Sequence, residues 1–372
     1  MLQYSQKPAP KVLVAPLNWG LGHATRCIPL IRHLLAEGAT VAIASEGKAL
    51  KLLSLEFPQL KTLDLGGKEL SYGNNQYFFL AMLKQFPKLV YNFLAEKKKI
   101  AHLQQQEKFD LIISDNRLGV RHSSASNVVI SHQLHLIVPA SLFFVKNINR
   151  YLLKKFDYCW IPDFAEENLS LSGKLSHPPL RKTTQNGSPF CHYLGSISRF
   201  ERTDKAADEI DLLVVISGPE PQRSIFEKIL LEQSNSFSGK IVLVRGLPDA
   251  STIPSNVPAH LHIKNHLKGS ELSQYMQNAK VVISRSGYTT LMDAQALQCK
   301  QIIFVPTPGQ SEQEYLGKYL AQQNIAPCFA QNDFDLATAL REVKKYAGFA
   351  EQTYPKKDVL QQEVVDILRA VI

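Results

Sequence analysis

Apolar residues in this chain come in short runs, and amphipathic stretches separate them in both halves. Lys11–Pro16, Thr40–Ala44, Asp110–Ser114 and Val128–Ser131 read as strands in the first half, and Asp211–Ile216, Ile241–Val244, Val281–Ser284 and Ile302–Val305 in the second. Between runs the apolar positions switch to helical spacing, as in Ile28, Ile31, Leu34 and Leu35, or Leu291, Ala294 and Leu297. Strand, helix and strand in that order build β-α-β units and a parallel sheet. The expected class is therefore α/β with two doubly wound parallel-sheet domains.

At 372 residues the chain exceeds the size at which one core stops growing, which also points to two domains. The charged stretch Gly195–Glu209 has few periodic apolar residues and reads as the linker. The expected division is 1–198, 209–350, and a closing segment 351–372 whose helix, beginning at Val359, packs back on the first domain.

Composition narrows the partners. With 45% hydrophobic and 20% charged residues, broad disorder is not expected. No apolar run has the length of a membrane span, and MLQYSQKPAPK lacks the apolar core of a signal peptide, so a cytoplasmic location is expected. The five cysteines form no CxxC pair, which fits a reducing compartment and offers no structural zinc pattern. A net charge of +9 attracts phosphorylated substrates, anionic lipid or nucleic acid. Nucleic acid is set aside for want of a zinc finger, an RNP-type strand or a basic recognition helix. Gln76–Gln104 mixes aromatic residues with lysines around Pro87, giving two helical pieces. They suit either the inner face of an anionic plasma membrane or a core-facing helix with a lysine edge.

Two turns carry the candidate chemistry. Arg285-Ser286-Gly287 runs from a strand into a helix, where free N–H groups and the helix dipole favour a phosphate. Downstream, Gln310, Glu312, Gln313 and Glu314 crowd the start of another helix, with amides and carboxylates suited to the vicinal hydroxyls of a sugar. The same pattern also fits ordinary helix caps. In the first half, Asn18-Trp-Gly20-Leu-Gly22-His23 opens a helix after the first strand. As a dinucleotide fingerprint Gly20-x-Gly22 is incomplete, with Thr25 in place of the third glycine and Glu46 only loosely spaced as a ribose acid. His23 at a helix N-terminus has its neutral form favoured, which suits a general base; a surface or capping histidine has the same position. Asp115-Asn116-Arg117 closes a parallel strand beside that loop. Asp115 there either accepts the second imidazole N–H or caps a turn.

On these residues the chain resembles the GT-B nucleotide-sugar glycosyltransferases, and is most similar to the MurG-like group of glycosyltransferase family 28. The resemblance implies two Rossmann-like domains facing a central cleft and an inverting transfer without a metal or other cofactor. The co-substrate would be a UDP-sugar, with N-acetylglucosamine the leading sugar, and the acceptor a glycan or a lipid-linked saccharide of the cell envelope. Carried over by position, Ser286, Gly287 and Thr290 meet the donor diphosphate, Asp293 the ribose, and Gln313 and Glu314 the sugar. Ser217 and Gly218 stand in the other donor turn, Leu267 where relatives hold uracil through main-chain groups, and Arg245 and Arg285 near the diphosphate. His23 faces the acceptor hydroxyl with Asp115 behind it, while Gly20, Gly22, Asn116, His132 and Gln133 line the acceptor side. Asp293 replaces a usual Glu, and Glu314 a usual Gln. Asp333-Phe-Asp335 matches an Asp-x-Asp metal motif in form, but both acids are explained by capping the helix that follows. Other readings of the same residues are a nucleotide-sugar hydrolase or epimerase, a non-catalytic nucleotide-sugar-binding subunit, and a nicotinamide dehydrogenase.

Overall fold

A computed structural model of the protein describes residues 8–67, 86–138, 142–182, 187, 190–203, 209–248, 250–255, 257–349, 354 and 358–371. The first half runs β1 Lys11–Pro16, α1 Gly22–Ala36, β2 Thr40–Ser45, α2 Gly47–Glu56, β3 Lys61–Asp64, α3 Phe86–Glu107, β4 Leu111–Asp115, β5 Ser126–Ile130, α4 Phe143–Leu153, β6 Tyr158–Ile161 and β7 Cys191–Tyr193. The second half runs β8 Ile210–Val215, α5 Gln222–Ser234, β9 Ile241–Val244, β10 Leu261–Lys264, α6 Gly269–Asn278, β11 Ala279–Ser284, α7 Tyr288–Ala296, β12 Ile302–Phe304, α8 Ser311–Gln322, α9 Leu336–Glu342 and α10 Val359–Val371.

These elements form two units. The first runs to Ile197 and includes α10; the second covers Ser198–Tyr354. The first holds a seven-stranded sheet in the order β3-β2-β1-β4-β5-β6-β7, and the second a five-stranded sheet in the order β10-β9-β8-β11-β12. Every strand pair in both is parallel. In each unit the chain order reverses beside the first strand: β1 lies between β2 and β4, and β8 between β9 and β11. Loops leaving the carboxyl ends at such a reversal diverge and leave a crevice for a ligand.

The apolar runs become these strands because helices cover the sheets. Leu13, Ile112, Ile113, Leu213 and Ile303 are wholly buried, each worth about 1.5–3 kcal/mol of transfer free energy. Pro16 pairs in register with Asp115, so the glycine loop leaves β1 next to the last residue of β4. In the second sheet Ser284 is in register with both Val215 and Phe304, which brings three loops out side by side.

The linker is shorter than its composition suggests. Ser198 Oγ donates to Asp293, the main-chain N–H of Thr203 donates to Gln277, and Phe200 is buried. Residues 198–203 are thus strapped to the second unit, and the change of unit falls at Ile197–Ser198. Helix α10 lies against α1 in the first unit, with ion pairs His33–Asp358 and His192–Glu363. Of the basic stretch Gln76–Gln104, residues 76–85 lie outside the described residues. Pro87 stands in the first turn of α3, where its missing N–H costs nothing.

Candidate active site

The first unit gathers His23, Arg26, Cys27 and Asp115 at the carboxyl edge of β1 and β4. Gly20 takes a φ of +73°, a left-handed turn that lets the chain reverse into α1. His23 is the second residue of that helix. Its Nδ1 lies 2.9 Å from Asp115 Oδ1, and its side chain is 16% exposed, so the far side of the ring remains within reach of a ligand. Asp115 itself is fully buried. Burial would raise its carboxyl, but Arg26, and after it His23, hold it well below the usual carboxylate range. Burial lowers His23, Asp115 pulls it back up, and Arg26 and His132 lower it further, with the net shift downward.

Arg26, absent from the sequence reading, is the largest addition. It is 3% exposed, donates from Nε to Asp115 Oδ2 at 2.6 Å, and places Nη2 against Asp115 Oδ1. The signal was available: positions three apart on a helix share a face, so Arg26 had to lie beside His23. Cys27 Sγ donates to Asp115 Oδ2 at 3.6 Å, and Asp115 pushes its thiol, already raised by burial, still higher.

The acceptor candidates surround this pair. Asn116 adopts a φ of +59°, its N–H donates to Ile130 O, and its Oδ1 accepts from Ser131 Oγ at 3.2 Å. Ser131 Oγ in turn accepts from the N–H of Gln133. One chain of bonds therefore ties together the loops after β4 and β5. His132 is buried on the second of these loops. His135 does not join it as a ligand pair, because its ring is held between Arg150 and the carbonyl of Pro178. Glu46, the loosely spaced ribose acid, is paired to Arg117 at 2.7 Å, and Arg117 also binds Glu96.

In the second unit Ser286 Oγ donates to Gln313 O at 2.7 Å, joining the turn before α7 to the start of α8. Gly287 is the N-cap residue of α7 and makes no side-chain cap, which leaves that helix end to its own N–H groups. Thr290 is half-buried in its first turn. Asp293, one turn further, accepts from Ser198 Oγ at 2.6 Å; burial pushes its carboxyl up to about 6. Gly218 has a φ of +110°, and a Cβ there would come within 3.3 Å of Thr307 Oγ1, so the Ser217–Gly218 turn lies against the loop after β12. Leu267 buries its side chain at the turn into α6.

Three expectations change. Arg285 does not point outward: it is 1% exposed, donates to the carbonyls of Val305, Pro306 and Gln222 and to Gln331 Oε1, and stacks 4.5 Å over Phe226. A buried guanidinium is costly unless hydrogen-bonded, and here Nη1 and Nη2 find acceptors while the buried Nε has none among the described residues. Arg245 is likewise committed, to Glu227 at 2.7 Å, Asn265 and Thr252 O. Gln313 and Glu314 fold back on their own loop: Gln313 accepts from Thr307 N, and Glu314 from Gly309 N, each at 2.9 Å. These side chains shape the Thr307–Gln310 turn. Asp335 caps α9 by accepting from Thr338 N at 2.7 Å.

Residues 214–370 match the glycosyltransferase family 28 C-terminal domain. The chain is a glycosyltransferase built on the GT-B fold. An uncharacterized glycosyltransferase of Methanosarcina acetivorans is 25% identical over 338 residues, covering 82% of this chain and 81% of that protein. Among solved structures, MurG of Acinetobacter baumannii superposes with a TM-score of 0.58 at 13% identity, covering 97% of this chain and 100% of that one. The spinosyn rhamnosyltransferase SpnG gives 0.65 at 15% identity, over 97% and 96% of the two chains. At these identities the structures speak for the GT-B fold.

Proposed function

We propose that this glycosyltransferase is inverting and metal-independent, and that it moves a hexosamine, N-acetylglucosamine first among them, from a UDP-sugar to a hydroxyl of a glycan or lipid-linked acceptor. The observation that carries the reading is the His23–Asp115 contact at 2.9 Å beside the glycine loop. With Nδ1–H donated to Asp115, the lone pair of Nε2 is free to take the proton of an acceptor hydroxyl. The oxygen then forms its bond to the anomeric carbon as the bond from that carbon to the diphosphate breaks. One displacement inverts the anomeric centre, and UDP leaves with the electron pair. The N–H groups at the start of α7 favour the charge of the departing diphosphate. Arg285 supports that step by holding the loop after β12 in shape, and Asp293 accepts from ribose hydroxyls.

Peripheral contact with an anionic membrane belongs to the same reading. It is supported by α4, where Phe143, Phe144, Ile148 and Tyr151 are all exposed and Lys154 and Lys155 border them. On α3, Tyr91 and Leu94 are exposed near Lys97, Lys98 and Lys99.

The test is incubation of the purified protein with UDP-N-acetylglucosamine, with and without a panel of hydroxyl acceptors, in buffer containing EDTA. The expected result is acceptor-dependent release of UDP with an inverted linkage. Free sugar released equally without acceptor would favour the hydrolase, an isomerised sugar the epimerase, and no turnover with any acceptor the binding subunit. Activity lost to EDTA and restored by magnesium would end the metal-independent reading.

A further inference from the structure

The Arg26 guanidinium faces both members of the pair at once. Nε takes Asp115 Oδ2 at 2.6 Å, and Nη2 lies against Asp115 Oδ1 and 2.8 Å from His23 Nδ1. We propose that Arg26 is a positioning residue for transfer: by sharing Asp115 with His23, it fixes the plane of the carboxylate and disfavours a second cation on the imidazole, so that the ring is held uncharged. This rests on the reading of His23 as the base.

The charges around one carboxylate bear on the form of the imidazole. A buried Asp with only a histidine beside it would favour the imidazolium, because the pair would then be neutral. Here the guanidinium already neutralises Asp115. A proton added to His23 would put a second cation 2.8 Å from Nη2. The other groups facing the ring add nothing to offset this: Cys27 on α1 keeps its thiol proton, and His132, from the loop after β5, opposes a positive charge. Burial does most to hold His23 below its ordinary value; Asp115 opposes it, and Arg26 adds to the lowering. The fork also restrains the carboxylate. Two of its contacts come from a planar group at 3% exposure, so Oδ1 cannot swing away from Nδ1.

Selective labelling of the histidine Cε1 positions, with His23→Ala to assign the signal, reads the titration of His23 directly and independently of turnover. In Arg26→Met the His23 titration should move up by at least one pH unit, and the acid limb of kcat should move with it. In Arg26→Lys the charge remains and the fork is lost, so the titration should stay near wild type while turnover falls about 10–100-fold at unchanged KM for the donor. Should Arg26→Met fail to fold, the comparison is Asp115→Asn against Arg26→Met/Asp115→Asn, which removes the buried charges together. His23 should then titrate higher in the double variant than in Asp115→Asn. A His23 titration unmoved in folded Arg26→Met, or equal in the two Asn variants, overturns the role of Arg26. A titration that moves while the acid limb of kcat stays fixed keeps the coupling of Arg26 to His23 but overturns His23 as the base, and with it the role of Arg26 in transfer.

Discussion

Ser286 Oγ and the main-chain carbonyl of Gln313 are hydrogen-bonded at 2.7 Å, across 27 positions of sequence. The two turns expected to meet diphosphate and sugar are therefore one piece of structure, and a change at either is felt at the other. Ser286→Ala removes this part-buried hydrogen bond between the two turns, a loss of about 0.5–1.5 kcal/mol. Donor KM should rise, and the midpoint of denaturant unfolding should fall with it. Unchanged stability together with a raised KM would instead make Ser286 a ligand contact alone.

His23→Ala should lower turnover by about 10²–10⁴-fold while UDP affinity stays near wild type, since the donor contacts are assigned to the other unit. Steady-state kinetics beside calorimetric UDP binding separate the two. Equal losses in both would make His23 structural. Asp115→Asn also breaks the buried pair with Arg26, so it should cost about 3–5 kcal/mol of stability in addition to turnover. A thermal melt of that variant checks the second part.

With Asp293 as the proposed ribose contact, its carboxyl, pushed by burial up to about 6, should give UDP binding a pH dependence. Above that value the group is ionised and suited to accept from ribose hydroxyls; as pH falls through it, affinity should weaken. Its linkage to stability has the opposite slope. A folded-state value raised above 3.8 contributes stability that is present at low pH and lost as pH rises through about 6. Titrating UDP from pH 5 to 8 tests the binding. Asp293→Ala should be weaker than wild type at pH 8 and show no such slope.

Anionic vesicles should bind the protein more tightly than neutral ones. Replacing Lys154 or Lys155 by Glu should weaken that binding at least fivefold for each charge lost, from about 1 kcal/mol per cation near the surface. Co-sedimentation at two salt concentrations is sufficient. Equal binding to both vesicle types would remove the membrane from the reading.

Much of this was legible in the sequence. Runs such as Lys11–Pro16 and Ile241–Val244 have the bounds expected of them, because a strand buried on both faces cannot hide a polar residue mid-run. Asp115 was legible as the end of a strand, where side chains converge by topology alone. The directions of long side chains were not. Arg245, Arg285, Gln313 and Glu314 are each turned toward partners on other elements or toward their own loop, and those choices depend on which partner groups the fold brings within reach. Ser198 was hidden for a related reason: a charged, non-periodic stretch looks like free linker unless its partners across the unit are known.

The register of Pro16 with Asp115 has a consequence for how such a protein could change its substrate. His23 and Asp115 sit on a helix start and a strand end that neighbouring main chain locks in place, Leu17 N–H to Asp115 O at 3.0 Å among the bonds. The side chains around them sit on connecting segments that begin at Asn116 and Ser131. Insertions or exchanges in those segments can reshape what approaches the histidine while leaving the histidine where it is. On the proposed reading, chemistry and recognition lie on separate stretches of chain, and a laboratory search for new acceptors has its natural targets in the second kind.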